Sequence, residues 1–441
     1  MIRGCRTAVT YQTDRTLALL LALLILTSGV AVLATPAAAA SSSTLVVDAD
    51  GSSGTYTSIQ NAIDNASAGD TVEVRAGTYN ETVTVGTRNL TVVANGSAVV
   101  APNVTGDAVT VTAANVTVDG LAINGSAGNG VTVSGADDVR LVNLTVETTG
   151  QDGVVVEGAN RTLVRNVTVR NTTKMGYRVA RSQNTTVRKS TARETGSYAL
   201  MVNGSNDATI TNLSAADVEM GVRLLESHQT ELRDSAITGS NKTGALVSST
   251  SGSLIQNVST TDTGSVAISI GNTDNVTVRK MDIRNAGGSG ITVSNSGYTS
   301  LEDIGVRDTS GTGVYVRDSN HTLLASVTSR NTSHSSLILV NGQNVSVDGY
   351  VATGGYVYGE SVNSLSLTDV SVRNNSWDGV YINDSDGLTL QNISARNESS
   401  SYDGVHVSQS TNLSATDVIT AEETVEAVFF FDELTLVITD A

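Results

Sequence analysis

Proline, cysteine and large aromatic residues are nearly missing from this chain. Among 441 residues there are two Pro, one Cys, one Trp and three Phe. A single cysteine excludes a disulfide scaffold. So little Phe and Trp argues against an ordinary compact core. Val, Ile and Leu nevertheless recur throughout, which argues against a disordered polymer. Lysine is scarce as well, occurring only at Lys174, Lys189, Lys242 and Lys280. The formal charge is −17, from 43 acidic and 26 basic residues. That balance argues against a nucleic-acid partner, because phosphate binding needs concentrated positive charge.

An Asp-rich, Lys-poor surface stays hydrated in concentrated salt, where self-repulsion is screened. The composition resembles that of proteins from salt-loving archaea; an ordinary acidic secreted protein is the alternative. Residues 1–40 read as an export leader. Arg3, Arg6 and Arg15 are basic, residues 17–33 are apolar, and Ala37 to Ala40 supply small residues for a peptidase. The alternative is an uncleaved anchor, since residues 17–34 are nearly long enough to span a bilayer. Membrane contact is expected only through this segment. Cys5 falls within it, so cleavage leaves a secreted or surface-bound chain free of cysteine.

The rest of the sequence repeats. A small residue followed by alternating apolar positions recurs at Ala108, Gly130, Gly153, Gly176, Ala199, Gly221, Gly244, Ala267, Gly290 and Gly313, at intervals of 22 or 23. It continues at Ser336, Gly355, Gly379 and Gly404 with intervals of 19, 24 and 25. Two further columns keep step. One runs Asn143, Asn166, Lys189, Asn212, Asp234, Asn257, Lys280, Asp303; the other Asn171, Glu194, Asp217, Gly239, Asp262, Asn285, Asp308, Asn331. Each period holds three short alternating runs, as in Gly153 to Val156, Thr162 to Val164 and Val167 to Val169. Period-two alternation predicts strands. Strands this short bury a face only if each period is one turn of a solenoid stacked on the next. Val154 and Val156 are then expected to point inward and Val155 outward. Corner Asn and Asp tolerate left-handed backbone, and proline is excluded where coils exchange backbone bonds.

The expectation is an all-β, single-stranded parallel β-helix of about fifteen coils, about 70 Å long, with a short N-terminal capping helix. Thr57 and Gln60 fit a capping box, and Ile59, Ala62, Ile63 and Ala66 share one helical face. Residues 41–105 form the N-terminal cap and first coils, 106–420 the regular coils, and 421–441 C-terminal capping strands around Phe429, Phe430, Phe431 and residues 434–438. The alternative for that last segment is a docking site for a partner.

The segments Val46-Val47-Asp48-Ala49-Asp50-Gly51, Tyr56-Thr57-Ser58-Ile59-Gln60-Asn61-Ala62-Ile63, Gly69-Asp70-Thr71-Val72-Glu73-Val74 and Gly77-Thr78-Tyr79-Asn80-Glu81 resemble the opening of right-handed parallel β-helix proteins of the pectin-lyase-like superfamily. The later coils resemble its parallel β-helix repeats, including the NosD-like and carbohydrate-binding/sugar-hydrolase branch. The resemblance covers about residues 45–438. It implies the right hand, which the crossover rule also favours, and a polysaccharide partner. It carries no catalytic residue across. Gly77 to Glu81 is similar to a pectin methylesterase opening motif, but the later esterase segments are missing and Gln151-Asp152-Gly153-Val154 is only an echo. Polygalacturonase motifs and the Asp-His pattern of alginate epimerases are absent. His228, His321, His334 and His406 are scattered, so the NosD likeness is not read as copper binding.

Candidate chemistry is sparse. Lys189 and Lys280, preceded by Arg188 and Arg279, are about 19 Å apart by strand spacing and cannot share one sugar. Asp378 and Asp403 occupy the same place in adjacent coils and are expected about 5 Å apart, the range of paired carboxylates in glycoside hydrolysis. Trp377 and Tyr402 precede them; Tyr381 and His406 follow on the outward face. Rings stacking on sugar faces beside acids that accept hydroxyl bonds make a sugar site. Asp378, Asp403 and His406 are thus the catalytic candidates, and Trp377, Tyr381 and Tyr402 the substrate-binding ones. Against this, Asp-Gly before a strand is ordinary turn chemistry, as at Asp152. No cofactor is expected, although Asp-rich corners suit calcium. Frequent Asn-x-Ser/Thr sequons, such as Asn80, Asn115 and Asn344, are glycan acceptors in an exported chain. Three readings follow: an exported surface protein that binds or presents polysaccharide, a polysaccharide lyase or glycoside hydrolase acting on acidic polysaccharide, and a structural rod or adhesin.

Overall fold

A computed structural model describes residues 42–52, 55–396, 402–420 and 428–429. The expected leader lies outside the described residues, as does the C-terminal segment except for the strand Val428–Phe429. The chain is a parallel β-solenoid built from two long sheets of sixteen and twenty strands. Sixteen strands in the shorter-stranded sheet mean sixteen turns, against the about fifteen expected. The first and last of them, Val83–Val85 and Val428–Phe429, lack the small anchor residue, which hid them in the sequence.

Register explains why the columns exist. Val131 lies beside Val154, Val154 beside Tyr177, Tyr177 beside Leu200, and Leu200 beside Val222. These residues, and their partners two positions on, are buried, as are Ile268/Ile270, Ile291/Val293 and Val314/Val316. β-branched side chains fill such a pleated interior well. One outward residue is nevertheless covered: Val155 is only 1% exposed and stands outside the core cluster that holds Val154 and Val156. Arg178, its neighbour on the next coil, reaches back to Asp152 at 3.0 Å and Glu157 at 3.0 Å, and so lies across Val155.

Three separate strands per turn hold only in the early coils, for example Val154–Glu157, Leu163–Arg165 and Thr168–Thr172. From Thr186–Thr195 onward, the second and third runs fuse into one long strand that bends at a left-handed residue, here Lys189 at φ 52°. A regular coil carries four left-handed corners, not the two visible as sequence columns. The predicted columns at Asn143 and Asn171 are two of them. The others run through Asn115, Asp138, Arg161, Asn184 and through Gly158, Arg181, Gly204, Glu226. Where Asn fills a corner, its amide donates to the preceding coil, as Asn166 Nδ2 does to Asn143 at 2.7 Å and Asn285 Nδ2 to Asp262 at 2.9 Å. A buried serine stack supports a further corner. Ser205 Oγ accepts the Ser182 N–H at 3.0 Å and donates to the Asn203 carbonyl at 3.0 Å; Ser227 Oγ accepts the Ser205 N–H at 3.1 Å.

A six-residue helix α1 (Ile59–Asp64) buries Ile59, Ala62 and Ile63 against the first strands. Its N-cap is Ser58 rather than Thr57, and Ser58 Oγ accepts from Asn61 N. The partner expected of Gln60 is supplied instead by Glu81, whose carboxylate accepts the Ile59 and Gln60 N–H groups at 2.7 and 3.0 Å. The esterase-like opening motif therefore has a structural task here. Tyr79 is buried and Glu81 holds the helix start.

The anchor glycines are needed for close approach. A Cβ on Gly153 would sit 2.2 Å from Val169 Cγ1 and 2.7 Å from the Gly176 carbonyl oxygen. Overpacking of this kind costs about 1–3 kcal/mol. Gly153→Ala is therefore expected to lower stability by that amount in chemical denaturation. Gly86→Ala, with its nearest neighbour at 3.9 Å, should leave the midpoint unchanged.

Candidate functional site

Four aromatic residues and a histidine gather on the outward face of the last coils of the shorter-stranded sheet. Register places Tyr358 beside Tyr381 and Tyr381 beside His406. Because each coil stacks directly on the next, the rings stack too. Tyr358 and Tyr381 are 5.5 Å apart at 8°, and Tyr381 and His406 are 5.0 Å apart at 19°. Trp377, at the corner before this strand, lies 5.1 Å from Tyr381 and meets Tyr356 edge-on at 4.7 Å.

This geometry revises the part expected of Tyr381. Both its faces are taken by neighbouring rings, so it presents an edge and a hydroxyl rather than a stacking face. Tyr402 differs: it is 38% exposed and makes no ring contact with a described residue. Tyr358 donates to Glu360 at 2.8 Å. Burial, and then that bond, push its phenol up to about 12.

The two candidate acids are brought together on adjacent coils. Asp378 is 8% exposed, and its Oδ1 accepts the Asp403 backbone N–H at 2.8 Å. The same task recurs at this corner in earlier coils. Asp107 Oδ1 accepts the Asn129 N–H at 2.8 Å, Asn129 Oδ1 accepts the Asp152 N–H at 3.0 Å, and Asp152 Oδ1 accepts the Met175 N–H at 3.0 Å. Asp403 Oδ2 lies 3.0 Å from His406 Nδ1. Burial raises the Asp378 carboxyl above the usual carboxylate range; the Asp403 N–H opposes that shift, and the Asp403 charge adds to it.

The remaining sequence candidates are dispersed. Lys189 and Lys280 are left-handed corner residues four coils apart. His228, His321 and His334 lie away from His406, and His321 stacks on Tyr298 at 4.4 Å. Among the described residues no group of three His, Cys, Asp or Glu side chains is placed to hold a metal ion. A shallow cleft of about 710 Å³ is lined by Asp217, Asp262, Asn285, Asp308 and Ser310, among others. Sequence reading took this column only as turn residues. Among the described residues, no helix is long and apolar enough to cross a membrane.

A raised carboxyl pKa destabilises the fold once the group ionises. That cost is absent below the unfolded value near 3.8 and is complete above the folded value. Asn129 shows that an amide performs the same acceptor role. Asp378→Asn is therefore expected to raise the unfolding midpoint at neutral pH, with the gain vanishing as pH falls below 3.8. Thermal scans across pH read this directly.

Two family models match the chain: "Right handed beta helix region" over residues 198–352 and "Periplasmic copper-binding protein (NosD)" over residues 63–258. No curated protein sequence matches the chain. Solved structures similar to it include a GH136 lacto-N-biosidase from Eubacterium ramulus, at 12% identity and TM-score 0.48, covering 64% of this chain and 65% of that one. The mannuronan C-5 epimerase A-module of Azotobacter vinelandii matches at 13% identity and TM-score 0.40, covering 83% and 94%. An alginate lyase from Paenibacillus matches at 16% identity and TM-score 0.38, covering 65% and 94%. Neither model spans half of the chain; the stacked coils show a parallel β-solenoid, and residues 63–352 are similar to right-handed β-helix families.

Proposed function

We propose that this is an exported β-helix protein that binds polysaccharide without cleaving it, along the flank formed by Trp377, Tyr381, Tyr402, Asp403 and His406. The observation that carries this reading is the concentration of rings and carboxylates on adjacent coils at the solvent face. In a chain with only 4% aromatic residues, Tyr356, Tyr358, Trp377, Tyr381 and His406 form one contiguous strip. Its edge carries Glu360, Asp378 and Asp403. Tyr402, 38% exposed and without a ring contact to a described residue, offers a ring for an apolar sugar face, while the carboxylates and Tyr hydroxyls accept and donate bonds to sugar hydroxyls. Export belongs to the same reading. The leader pattern of residues 1–40 supports it, as does the match to a family named for a periplasmic protein.

Cleavage is the second reading. A buried carboxyl with a raised pKa beside a second, more exposed carboxylate is what general acid–base chemistry on a glycosidic bond needs. The acceptor role of Asp378 toward the Asp403 backbone favours binding instead.

A glycan array identifies the polymer, and titration calorimetry follows. Tyr402→Ala and Trp377→Ala are each expected to weaken binding about tenfold, the loss of one ring contact worth about 1.4 kcal/mol. Asp403→Asn should leave no change in reducing ends or unsaturated uronate, because none forms. Product seen with the native chain and lost in Asp403→Asn would replace binding by cleavage. An empty array would leave a structural rod.

A further inference from the structure

A second surface lies on the other sheet. On its outward face, register sets Arg284 beside Arg307, Arg307 beside Arg330, Arg330 beside Thr353, Thr353 beside Arg373, and Arg373 beside Arg396. Five arginines thus stand in one line over six successive coils, about 24 Å at the spacing of parallel strands. All five are exposed.

Like charges directly opposite one another destabilise a sheet. A chain with 43 acidic residues has ample means of relieving that repulsion. Among the described residues it does so only at the start of the line. Asp282 Oδ2 lies 2.7 Å from Arg284, and Asp282 Oδ1 lies 3.3 Å from Arg307. Arg330, Arg373 and Arg396 have no ion pair among the described residues. Beside the line, the outward positions two residues earlier are Gly305, Thr328, Val351, Ser371 and Ser394. These side chains are short, so the arginines border a shallow trough. On its floor, Ser371 Oγ is buried and has no hydrogen-bond partner among the described residues.

We propose that this arginine line is a track for a linear acidic polysaccharide, one whose sugars each carry a carboxylate. The guanidinium fork matches a carboxylate with two parallel bonds. A straight row of forks at coil spacing suits an extended chain rather than a single anion. Nucleic acid fits the surface less well. The trough has no ring on which a base can stack, and the flat sheet face offers no element to enter a groove. The choice of a sugar polymer rests on the polysaccharide reading above. The site itself does not, because it lies on a different sheet from Trp377 and Tyr402.

The test uses the full chain and four probes: polygalacturonate, galacturonic acid monomer, a neutral polysaccharide and single-stranded DNA. Arg330→Gln, Arg373→Gln and Arg396→Gln are combined in one variant. Arg88→Gln, Arg140→Gln and Arg188→Gln, on distant coils, form a control with the same change in charge. The native chain should bind polygalacturonate, with affinity falling as salt rises, and the monomer at least tenfold more weakly. The stripe variant should lose at least tenfold in polygalacturonate affinity and show a shallower salt dependence, with its thermal midpoint kept. The control variant should bind like the native chain. Equal losses in both variants, undiminished binding by the stripe variant, or no polygalacturonate binding at low salt would overturn the proposal. DNA bound as tightly as polygalacturonate would overturn it in favour of nucleic acid. Binding of the neutral polymer that is lost in Tyr402→Ala but kept in the stripe variant reports on the aromatic flank alone, so the two surfaces succeed or fail separately.

Discussion

Backbone hydrogen bonding from one coil to the next is the constraint that the rest of this structure obeys. Gly130 N donates to Asp152 O at 3.0 Å, Gly153 N to Met175 O at 2.8 Å, and Gly176 N to Tyr198 O at 2.9 Å. A buried backbone group without a partner is costly, so every coil must match the length and register of its neighbours. That requirement keeps the period at 22 or 23 residues from Ala108 to Ser336 and confines proline to Pro102 beyond the leader. Stability is then a sum over neighbouring coils rather than the property of one central core. An aromatic-poor chain can therefore fold: each coil needs only a few Val, Ile or Leu side chains to meet their counterparts.

Stacking at strand spacing imposes a second rule on side chains. Each residue must live beside its own kind in the coil above and below. Valine does so by packing. Asparagine does so because an amide both donates and accepts, as Asn143 and Asn166 show. Serine accepts from one coil's N–H and donates to its own coil's carbonyl. Aromatic rings stack. Arginine is different, since a column of guanidinium groups repels itself. The line from Arg284 to Arg396 is thus the column whose composition the solenoid does not explain from within.

Much of this was legible in the sequence, for physical reasons that also mark where legibility stops. Inward columns such as Val131, Val154 and Tyr177 show themselves because alternation reports which face is buried. The anchor column shows itself because only small residues fit against the next coil's carbonyl. Two of the four left-handed corners stay hidden because Arg161, Arg181, Glu226 and His321 occupy them, residue types that carry no signal for that backbone region. The helix cap was misplaced by one residue because its acidic partner, Glu81, lies 22 residues from Ile59. The arginine line does have a signal: the residue before the third corner is Arg at Arg284-Asn285, Arg307-Asp308, Arg330-Asn331 and Arg373-Asn374. Its meaning depends on register and on Arg330, Arg373 and Arg396 having no ion pair among the described residues, which pattern alone does not supply. Ring direction at Tyr381 is likewise a matter of coil stacking rather than of sequence position.

The acids at the aromatic flank follow from the same logic. At that corner a side-chain oxygen can accept the next coil's N–H, although Met175 and Val266 hold the same place without one. Asn129 accepts it without charge, and Ser289 Oγ does so toward Thr312 N at 3.3 Å. Asp378 fills the role with a carboxyl that burial makes expensive to ionise. An amide there would satisfy the backbone equally well. The charge is therefore surplus to the fold, and Asp403 with His406 adds more of it at the same place. Local departures from what a fold requires concentrate where ligands are met. The surplus acid beside the exposed ring of Tyr402 is the structural reason for reading that flank, rather than the repeated corners elsewhere, as a sugar-binding surface.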